Sequence, residues 1–308
     1  MNGRPPHFPA AAAAAALALA LTFPSPARAQ APDLGWRTTA TLFGQVNPRS
    51  LAADVRLRHR QALYDDERPL LALNHLETSA GLTVSPAGLI PSIGVEVQPL
   101  SVLTLGVAYA PAFYFGTSGL AQSYPSPRAR LGGTALGGIR GGPGGSYALG
   151  VHQLVLSGAL QARVKAVALR AALSVTRLQA DLHGDDRVVY DPLHDLLVYR
   201  SGWVAQGDTD LVWFASPRLV LGVRHSLVTA WYPAAAFPAS EPRLRSRTTS
   251  RLGPLARYAL WKGHGGLADE GSVVAAAQWW LAHPDRTGRT SPAAVPLAFV
   301  ALQVSGGP

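Results

Sequence analysis

The chain has 308 residues, of which 15% are charged and 48% hydrophobic, with a formal net charge of +9 and no cysteine. The charged fraction is below the quarter that is usual for soluble domains, and a chain without cysteine forms no disulfide and carries no lipid-modified cysteine. After the first thirty residues, no segment offers the roughly 18 consecutive apolar residues that a membrane-spanning helix needs. These properties argue against an ordinary soluble enzyme and against a helical membrane protein.

Residues 1–29 have the three-part layout of a secretory signal peptide. Arg4 provides a basic start, residues 10–23 form an apolar run, and small residues stand at Ala27 and Ala29, where a signal peptidase requires them. The apolar run is too short to cross a bilayer as a helix. We therefore predict cleavage after Ala29 and export of the remaining chain.

Apolar and polar residues alternate with a period of two along most of the remaining chain. In the segment 51–63, for example, Val55 and Leu57 alternate with Arg56 and Arg58. This period predicts β-strands, because successive side chains of a strand point to opposite faces. The predicted strands span 35–46, 51–63, 69–82, 88–98, 101–115, 146–164, 167–182, 202–215, 218–232, 248–261, 272–283 and 296–305.

High apolar content that is never concentrated in one segment is typical of a transmembrane β-barrel, whose strands face lipid on one side and the lumen on the other. We therefore predict an all-β fold, a transmembrane antiparallel up-and-down β-barrel of about twelve strands. It forms one domain over residues 34–306, preceded by a short segment, 30–33. The alternative is a secreted soluble β-sandwich.

The predicted connectors differ in length between the two ends of the barrel. The long ones follow odd-numbered strands and therefore share one end: 116–145, 183–201, 233–247 and 284–295. Those at the other end are mostly tight, around 64–68, Pro99, Lys165 and Ser216–Pro217, with the longer exception of 262–271. Short periplasmic turns and longer external loops are expected of an outer-membrane barrel. The Gly-rich connector 116–145 is predicted to be mobile or to fold partly into the pore.

Aromatic residues cluster near the predicted strand ends, where lipid headgroups meet water. Those predicted near the long connectors are Tyr109, Phe113, Tyr114, Trp231, Tyr232, Trp279 and Trp280, and those predicted at the opposite rim are Trp213 and Trp261. This placement favours the barrel over the sandwich.

Charged residues fall mainly on the strand face opposite the apolar one, which a barrel turns toward its lumen. The predicted lumen charges are Arg56, Arg58, Arg60, Glu77, Arg163, Arg170, Asp208, Asp210, Arg224, Arg251 and Arg257. We expect Asp208 and Asp210 to lie opposite or diagonal to Arg224, and Glu77 to pair with Arg56. Two interpretations follow: the ion pairs fill and stiffen the barrel, or the arginines line a narrow pore that favours anions.

No arrangement of side chains in the sequence predicts catalysis. His75, Glu77 and Ser79 occupy alternate positions of one strand, so the outer two lie roughly 13 Å apart at about 3.3 Å per residue. His225 is predicted to face lipid with Thr209 as its candidate partner and with no serine beside it. We therefore predict no catalytic residue, with an outer-membrane lipid hydrolase as the alternative function.

Acidic residues and a histidine cluster after the seventh predicted strand, at Asp185, Asp186, Asp191, His194 and Asp195. Their spacing does not match a calcium-binding loop, which needs alternating acids, a central glycine and a closing glutamate. The pattern predicts a solvated acidic loop, and we predict no metal site and no cofactor.

Taken together, the predicted signal peptide and the alternating strands resemble the broad class of Gram-negative outer-membrane β-barrel proteins. The resemblance implies outer-membrane lipid, lipopolysaccharide and the barrel-assembly machinery as partners, and small solutes where the lumen is open. Basic residues of the predicted external loops suit lipid phosphates: Arg243, Arg245, Arg247, Arg286 and Arg289. Nucleic acid is not an expected partner, because the chain has no basic helix or stacking platform. In this class the last strand commonly ends in an aromatic residue, whereas here the nearest aromatic residue is Phe299.

Overall fold

The computed structural model describes residues 34–47, 50–116, 122–129, 147–263, 266–285 and 294–307. The predicted signal peptide, the segment 30–33, most of the Gly-rich connector, and Arg286 and Arg289 lie outside the described residues. Apart from two single-turn 3-10 helices, at Ala234–Ala236 and Gly266–Ala268, the described elements are all β-strands. None of the helices in the described ranges has the length and hydropathy to cross a membrane.

Within the described residues, sixteen strands form one closed antiparallel barrel and one small three-stranded sheet. They are β1 (Gly35–Val46), β2 (Ser50–Gln61), β3 (His75–Ser85), β4 (Gly88–Leu100), β5 (Leu103–Tyr109), β6 (Ala112–Phe115), β7 (Ser123–Tyr124), β8 (Ala148–Val164), β9 (Val167–Ala180), β10 (Val188–Asp191), β11 (Leu196–Tyr199), β12 (Trp203–Phe214), β13 (Leu219–Trp231), β14 (Ser246–Lys262), β15 (Glu270–Ala282) and β16 (Leu297–Gly306). Strands β7, β10 and β11 form the small sheet.

The barrel has twelve transmembrane strands, because β5 and β6 are two halves of one strand. The interruption falls at Ala110 and Pro111, where proline has no N–H to offer the sheet. Pairing resumes on both sides, with β4 and with β8, and the Ala110 N–H donates to the Gln153 carbonyl at 2.9 Å. Pairing of β1 with β16 closes the barrel. The predicted all-β antiparallel barrel of twelve strands is therefore confirmed.

The third predicted strand begins later than expected, at His75 instead of residue 69. The Asn74 side chain accepts hydrogen bonds from the N–H groups of Leu63 and Tyr64, at 2.8 and 2.9 Å, and donates to the Leu71 carbonyl at 2.8 Å. These bonds satisfy backbone groups that would otherwise pair in a sheet. Residues 62–74 consequently form an ordered connection that is longer than the tight turn predicted here.

The two faces of the barrel wall differ in polarity. In β12, the even-numbered residues from Val204 to Phe214 are buried, whereas Leu211 and Trp213 on the odd face are exposed. The same alternation leaves apolar side chains on the outer surface of every long strand, as a lipid-facing wall requires.

The aromatic residues divide between these two faces. Tyr109, Phe113, Trp231 and Trp279 point outward near the end with the long loops, and Trp213 points outward near the opposite end. The expectation that all nine lie at a lipid interface is wrong, because Tyr114, Tyr232, Trp261 and Trp280 are turned inward. Neighbouring residues of a strand, such as Trp279 and Trp280, cannot both face lipid.

We call the end of the barrel with the long connections the loop end, and the end with the chain termini the terminal end. At the loop end, β10 and β11 form a hairpin in which every residue of β10 and residues 196–198 of β11 are buried. The hairpin shares one apolar cluster with inward-facing residues of the barrel wall, including Leu178, Val204 and Val228. The hairpin therefore lies inside the barrel mouth.

Polar contacts fix this hairpin at its tip. The Tyr232 hydroxyl donates to the Leu197 carbonyl at 2.6 Å, and the Tyr190 hydroxyl donates to Asp195 Oδ1 at 2.8 Å. His283 Nε2, after the end of β15, lies 3.3 Å from Asp195 Oδ2. These contacts thus anchor the hairpin to the chain just after β13 and just after β15.

The predicted solvated acidic loop is wrong for Asp191, His194 and Asp195, whereas Asp185 is exposed and Asp186 half-buried. Asp191, His194 and Asp195 are each only 4% exposed, and His194 Nδ1 lies 2.6 Å from Asp191 Oδ2. The apolar residues of β10 and β11 carry these polar groups into the mouth, where side-chain partners replace water.

Residues 122–129 belong to the Gly-rich connector and pack against the hairpin. Within them β7 pairs with β10, and the Tyr124 hydroxyl donates to Gln122 Oε1 at 2.6 Å. Burial raises the pKa of Tyr124 to about 12, so the hydroxyl remains a donor across the physiological range. Part of the connector therefore helps to fill the mouth.

The outer wall allows a depth-dependent test of membrane embedding. Leu173 lies near the middle of β9 and is 54% exposed, whereas Val164 lies at the terminal end of β8 and is 73% exposed. We expect Leu173→Arg to lower the free energy of unfolding in lipid vesicles by about 2–4 kcal/mol and Val164→Arg by about 0–1 kcal/mol. Guanidinium titrations followed by tryptophan fluorescence measure both, and equal losses would contradict a lipid-facing wall.

Candidate functional site

The lumen has an apolar side and a polar side. Inward residues of β1, β2 and β12–β16 form a second apolar cluster: Phe43, Ala52, Val212, Phe214, Val220, Leu255, Val274, Ala276, Leu297, Phe299 and Ala301. The inward residues of β2–β5, β8 and β9 are mostly polar or charged around the middle and the terminal end. These strands therefore give the lumen its polar side.

Three arginines form a ladder along β2. Arg56, Arg58 and Arg60 occupy alternate positions, so all three guanidinium groups lie on the inward face. Their side chains are 14%, 17% and 26% exposed, respectively. Arg58 Nη2 also donates to Thr39 Oγ1 at 2.9 Å. The ladder is therefore positioned by its neighbours while its charge remains accessible within the lumen.

The carboxylates beside this ladder are shared among its arginines. Arg60 Nε donates to Glu77 Oε2 at 2.5 Å, and Arg58 Nε lies 4.0 Å from Glu77 Oε1. The expected pairing of Glu77 with Arg56 is wrong, because the β2–β3 register places Arg60 opposite Glu77. Arg56 lies 3.9 Å from Asp54 on its own strand.

A sealed ion pair stands between β12 and β13. Asp210 lies directly opposite Arg224, and the two form a bidentate contact with distances of 2.6 and 2.8 Å. Their side chains are 0% and 2% exposed. Arg170 Nη1 lies 3.8 Å from the same carboxylate. The Asp210–Arg224 pair therefore presents no charge to a solute, whereas Arg170 is 12% exposed.

Asp208 and Arg251 are enclosed as well. Asp208 accepts hydrogen bonds from Ser226 Oγ at 2.5 Å and from Gln206 Nε2 at 2.8 Å. The Arg251 guanidinium lies over the Trp280 ring at 4.9 Å from its centroid, a cation–π arrangement. Of the predicted lumen charges, these two are thus held by partners in the wall.

A cavity of about 460 Å³ lies at the terminal end of the lumen. Four basic residues line it with one acidic residue, Glu270: Arg163, Arg218, Arg257 and Lys262. Among the described residues, no group accepts a hydrogen bond from the buried Arg257 Nε. Arg163 lies over the Phe214 ring, 4.1 Å from the centroid. The cavity therefore has an excess of positive charge and an aromatic wall.

On the outer face, the structure places a serine beside His225. His225 Nε2 lies 2.9 Å from Ser250 Oγ on β14, with the exposed side chains of Leu227 and Leu252 beside them. The expectation that no serine is adjacent is therefore wrong, and the hydrogen-bond partner is Ser250 instead of Thr209. The β13–β14 register creates the contact, and residue spacing along one strand does not show it.

Comparison with known proteins shows the fold. No protein-family model and no curated protein matches the chain. The outer membrane channel from Pseudomonas putida F1 superposes with a TM-score of 0.50 at 9% identity, covering 92% of this chain and 99% of that chain. OccAB1 of Acinetobacter baumannii superposes with a TM-score of 0.38 at 12% identity, covering 83% of this chain and 57% of that chain. Omp33 of the same organism superposes with a TM-score of 0.34 at 9% identity, covering 90% of this chain and 99% of that chain. The fold is that of Gram-negative outer-membrane β-barrels.

The sealed ion pair predicts a large loss of stability on removal of one partner. We expect Asp210→Asn to lower the free energy of unfolding by about 3–5 kcal/mol, because it leaves the buried Arg224 charge uncompensated. Adding Arg224→Met should recover most of that loss. Guanidinium unfolding of the refolded barrel measures both variants.

The pair formed by Lys262 and Glu270 is the control, since its side chains are 49% and 26% exposed. Glu270→Gln should cost no more than about 1 kcal/mol. If Asp210→Asn lowers the free energy of unfolding no more than Glu270→Gln does, the prediction is contradicted and water reaches Arg224 readily.

Proposed function

We propose that the protein is a narrow outer-membrane channel that favours small anions and whose external mouth is closed by the β10–β11 hairpin. The accessible arginine ladder on β2 carries the proposal. Arg56, Arg58 and Arg60 keep part of their surface exposed inside the barrel, whereas Arg224 is sealed by Asp210. Charges that a solute can approach closely affect permeation most strongly.

The charge balance along the polar side supports anions as the permeating class. Glu77 serves both Arg58 and Arg60, and the ladder continues toward Arg37, which lies opposite Arg58 on β1. The cavity at the terminal end adds Arg257, whose Nε has no partner among the described residues. A low-dielectric lumen with an excess of positive charge raises the local concentration of negative solutes.

The proposed orientation places the terminal end in the periplasm and the loop end outside the cell. Short connections at Ser101–Val102 and Lys165–Ala166 lie at the terminal end, as expected of periplasmic turns. The predicted signal peptide supports export. In this orientation Arg243 and Arg245 lie in an external connection, where lipopolysaccharide phosphates are the proposed partners.

The proposed closure of the mouth follows from the packing of the hairpin. Val188, Leu196 and Val198 are fully buried, so no water-filled path passes through the space they occupy. Conduction requires the hairpin to move or a path to persist beside it. Residues 185–200 are therefore the proposed gate.

Planar-bilayer recordings test charge selectivity and closure together. We expect the refolded protein to conduct weakly, and a variant with residues 185–200 replaced by a short Gly-Ser linker to conduct several-fold more. In that variant, Arg56→Ala, Arg58→Ala and Arg60→Ala together should move the reversal potential in a salt gradient toward cation selectivity, because they remove the accessible positive charge.

A matched triple variant, Arg68→Ala, Arg177→Ala and Arg243→Ala, carries the same change of net charge away from the inward face and should leave selectivity unchanged. Equal shifts in the two triple variants would contradict a pore lined by the ladder. If the variant with residues 185–200 replaced inserts into the bilayer and still does not conduct, the lumen is filled and the channel proposal is contradicted.

Lipid hydrolysis is a second candidate function, favoured by the contact of His225 with Ser250. An Nε2–Oγ distance of 2.9 Å on the lipid face suits a base and its nucleophile. If this pair is catalytic, His225→Asn and Ser250→Ala each abolish phospholipid turnover in mixed micelles, whereas Thr229→Ala on the same outer face leaves it intact. Absence of turnover by the wild-type protein would dismiss this function.

A further inference from the structure

Three potential metal ligands converge at the terminal end of the polar side. The coordinating atoms of His75, Glu77 and Glu96 all lie within 4.8 Å of one another. His75 and Glu77 occupy alternate positions of β3 and share its inward face, and the register places Glu96 of β4 directly opposite Glu77. Strand pairing thus brings one imidazole and two carboxylates together.

His75 has one ring nitrogen engaged and one unused. The residue is 4% exposed, and its Nδ1 lies 3.0 Å from the Leu73 carbonyl, to which it can only donate. Nε2 is therefore the unprotonated nitrogen, and this buried atom has no hydrogen-bond partner among the described residues. Metal-binding histidines are commonly oriented by such a bond from the other nitrogen to a backbone carbonyl.

Glu77 and Glu96 face each other across the β3–β4 pairing, with Arg58 and Arg60 beside them. Like charges directly opposite each other on neighbouring strands are destabilising. Arg60 Nε donates to Oε2 of Glu77, whereas Arg58 Nε lies 4.0 Å from Oε1. Oε1 of Glu77 can therefore bind a cation while Oε2 keeps its bond to Arg60. A ligand carboxylate that is also hydrogen-bonded is usual at protein metal sites.

We propose that His75 Nε2, Glu77 and Glu96 bind a divalent transition-metal ion of the Zn²⁺ type, with water completing the coordination. One imidazole and two carboxylates suit Zn²⁺, whereas Mg²⁺ and Ca²⁺ prefer all-oxygen sites. Bonds of about 2.0 Å require the ligand atoms to approach to about 3.3 Å, so metal binding requires rotation of the glutamate side chains. The site goes beyond channel function, because a barrel that does not conduct would bind the ion equally well.

The test uses the untagged, refolded chain without its predicted signal peptide, in detergent and freed of metal with a chelator. Titration calorimetry with Zn²⁺ should show one saturable site, and Co²⁺ should give visible absorption bands typical of nitrogen and oxygen ligands. His75→Gln and Glu96→Gln should each weaken Zn²⁺ binding at least about tenfold. Glu96→Gln preserves side-chain shape, so it keeps the test decisive if His75→Gln fails to fold.

His59→Gln is the matched control. His59 lies on β2, beside the Trp36 ring, and faces outward at a similar level of the barrel. The control should bind Zn²⁺ like the wild type, and millimolar Mg²⁺ should not compete. No saturable binding by the wild type, or wild-type affinity in the folded Glu96→Gln variant, would overturn the proposal. Conductance plays no part in these measurements, so failure of the channel proposal would leave the result intact.

Discussion

Pairing of the first and last barrel strands is the constraint on which the rest of the structure depends. Residues from Thr38 to Val46 of β1 pair with residues from Gly306 to Ala298 of β16, which removes the remaining edges of the sheet. Within hydrocarbon, an unpaired backbone group costs several kcal/mol, so a spanning sheet must close. Closure also assigns each strand residue to lipid or lumen, and inward charges such as Arg224 must then find partners inside.

A ring of twelve strands is wider than its own side chains can fill, since about eight strands already give an interior matched to side-chain packing. The protein fills this space unevenly. An apolar cluster around Phe43 and Phe299 occupies one side, the β10–β11 hairpin occupies the mouth, and the arginine ladder stands on the remaining side. The polar side keeps its accessible charge because the filling is done elsewhere, and this division underlies the proposed selectivity for anions.

Most strands can be predicted from the sequence because alternation is a local property. The register between two strands can also be predicted where a tight turn joins them. The four-residue connection 215–218 fixes the β12–β13 register, so the opposition of Asp210 and Arg224 follows from counting residues. The His225–Ser250 contact was missed because residues 232–245 separate its strands, and a long connection leaves the register open. Burial of the hairpin cannot be predicted from the sequence for another reason. Its aspartates are typical of a solvated loop, and only the folded barrel brings Tyr190 and His283 beside Asp195.

The hairpin in the mouth also imposes an order on assembly. The walls that receive Val188 and Leu197 come from strands as far apart in sequence as β4 and β13, so the receiving pocket exists only after those strands have paired. The apolar β-forming segments of the hairpin can therefore reach their native burial only after those strands have paired. Such segments associate readily with other chains.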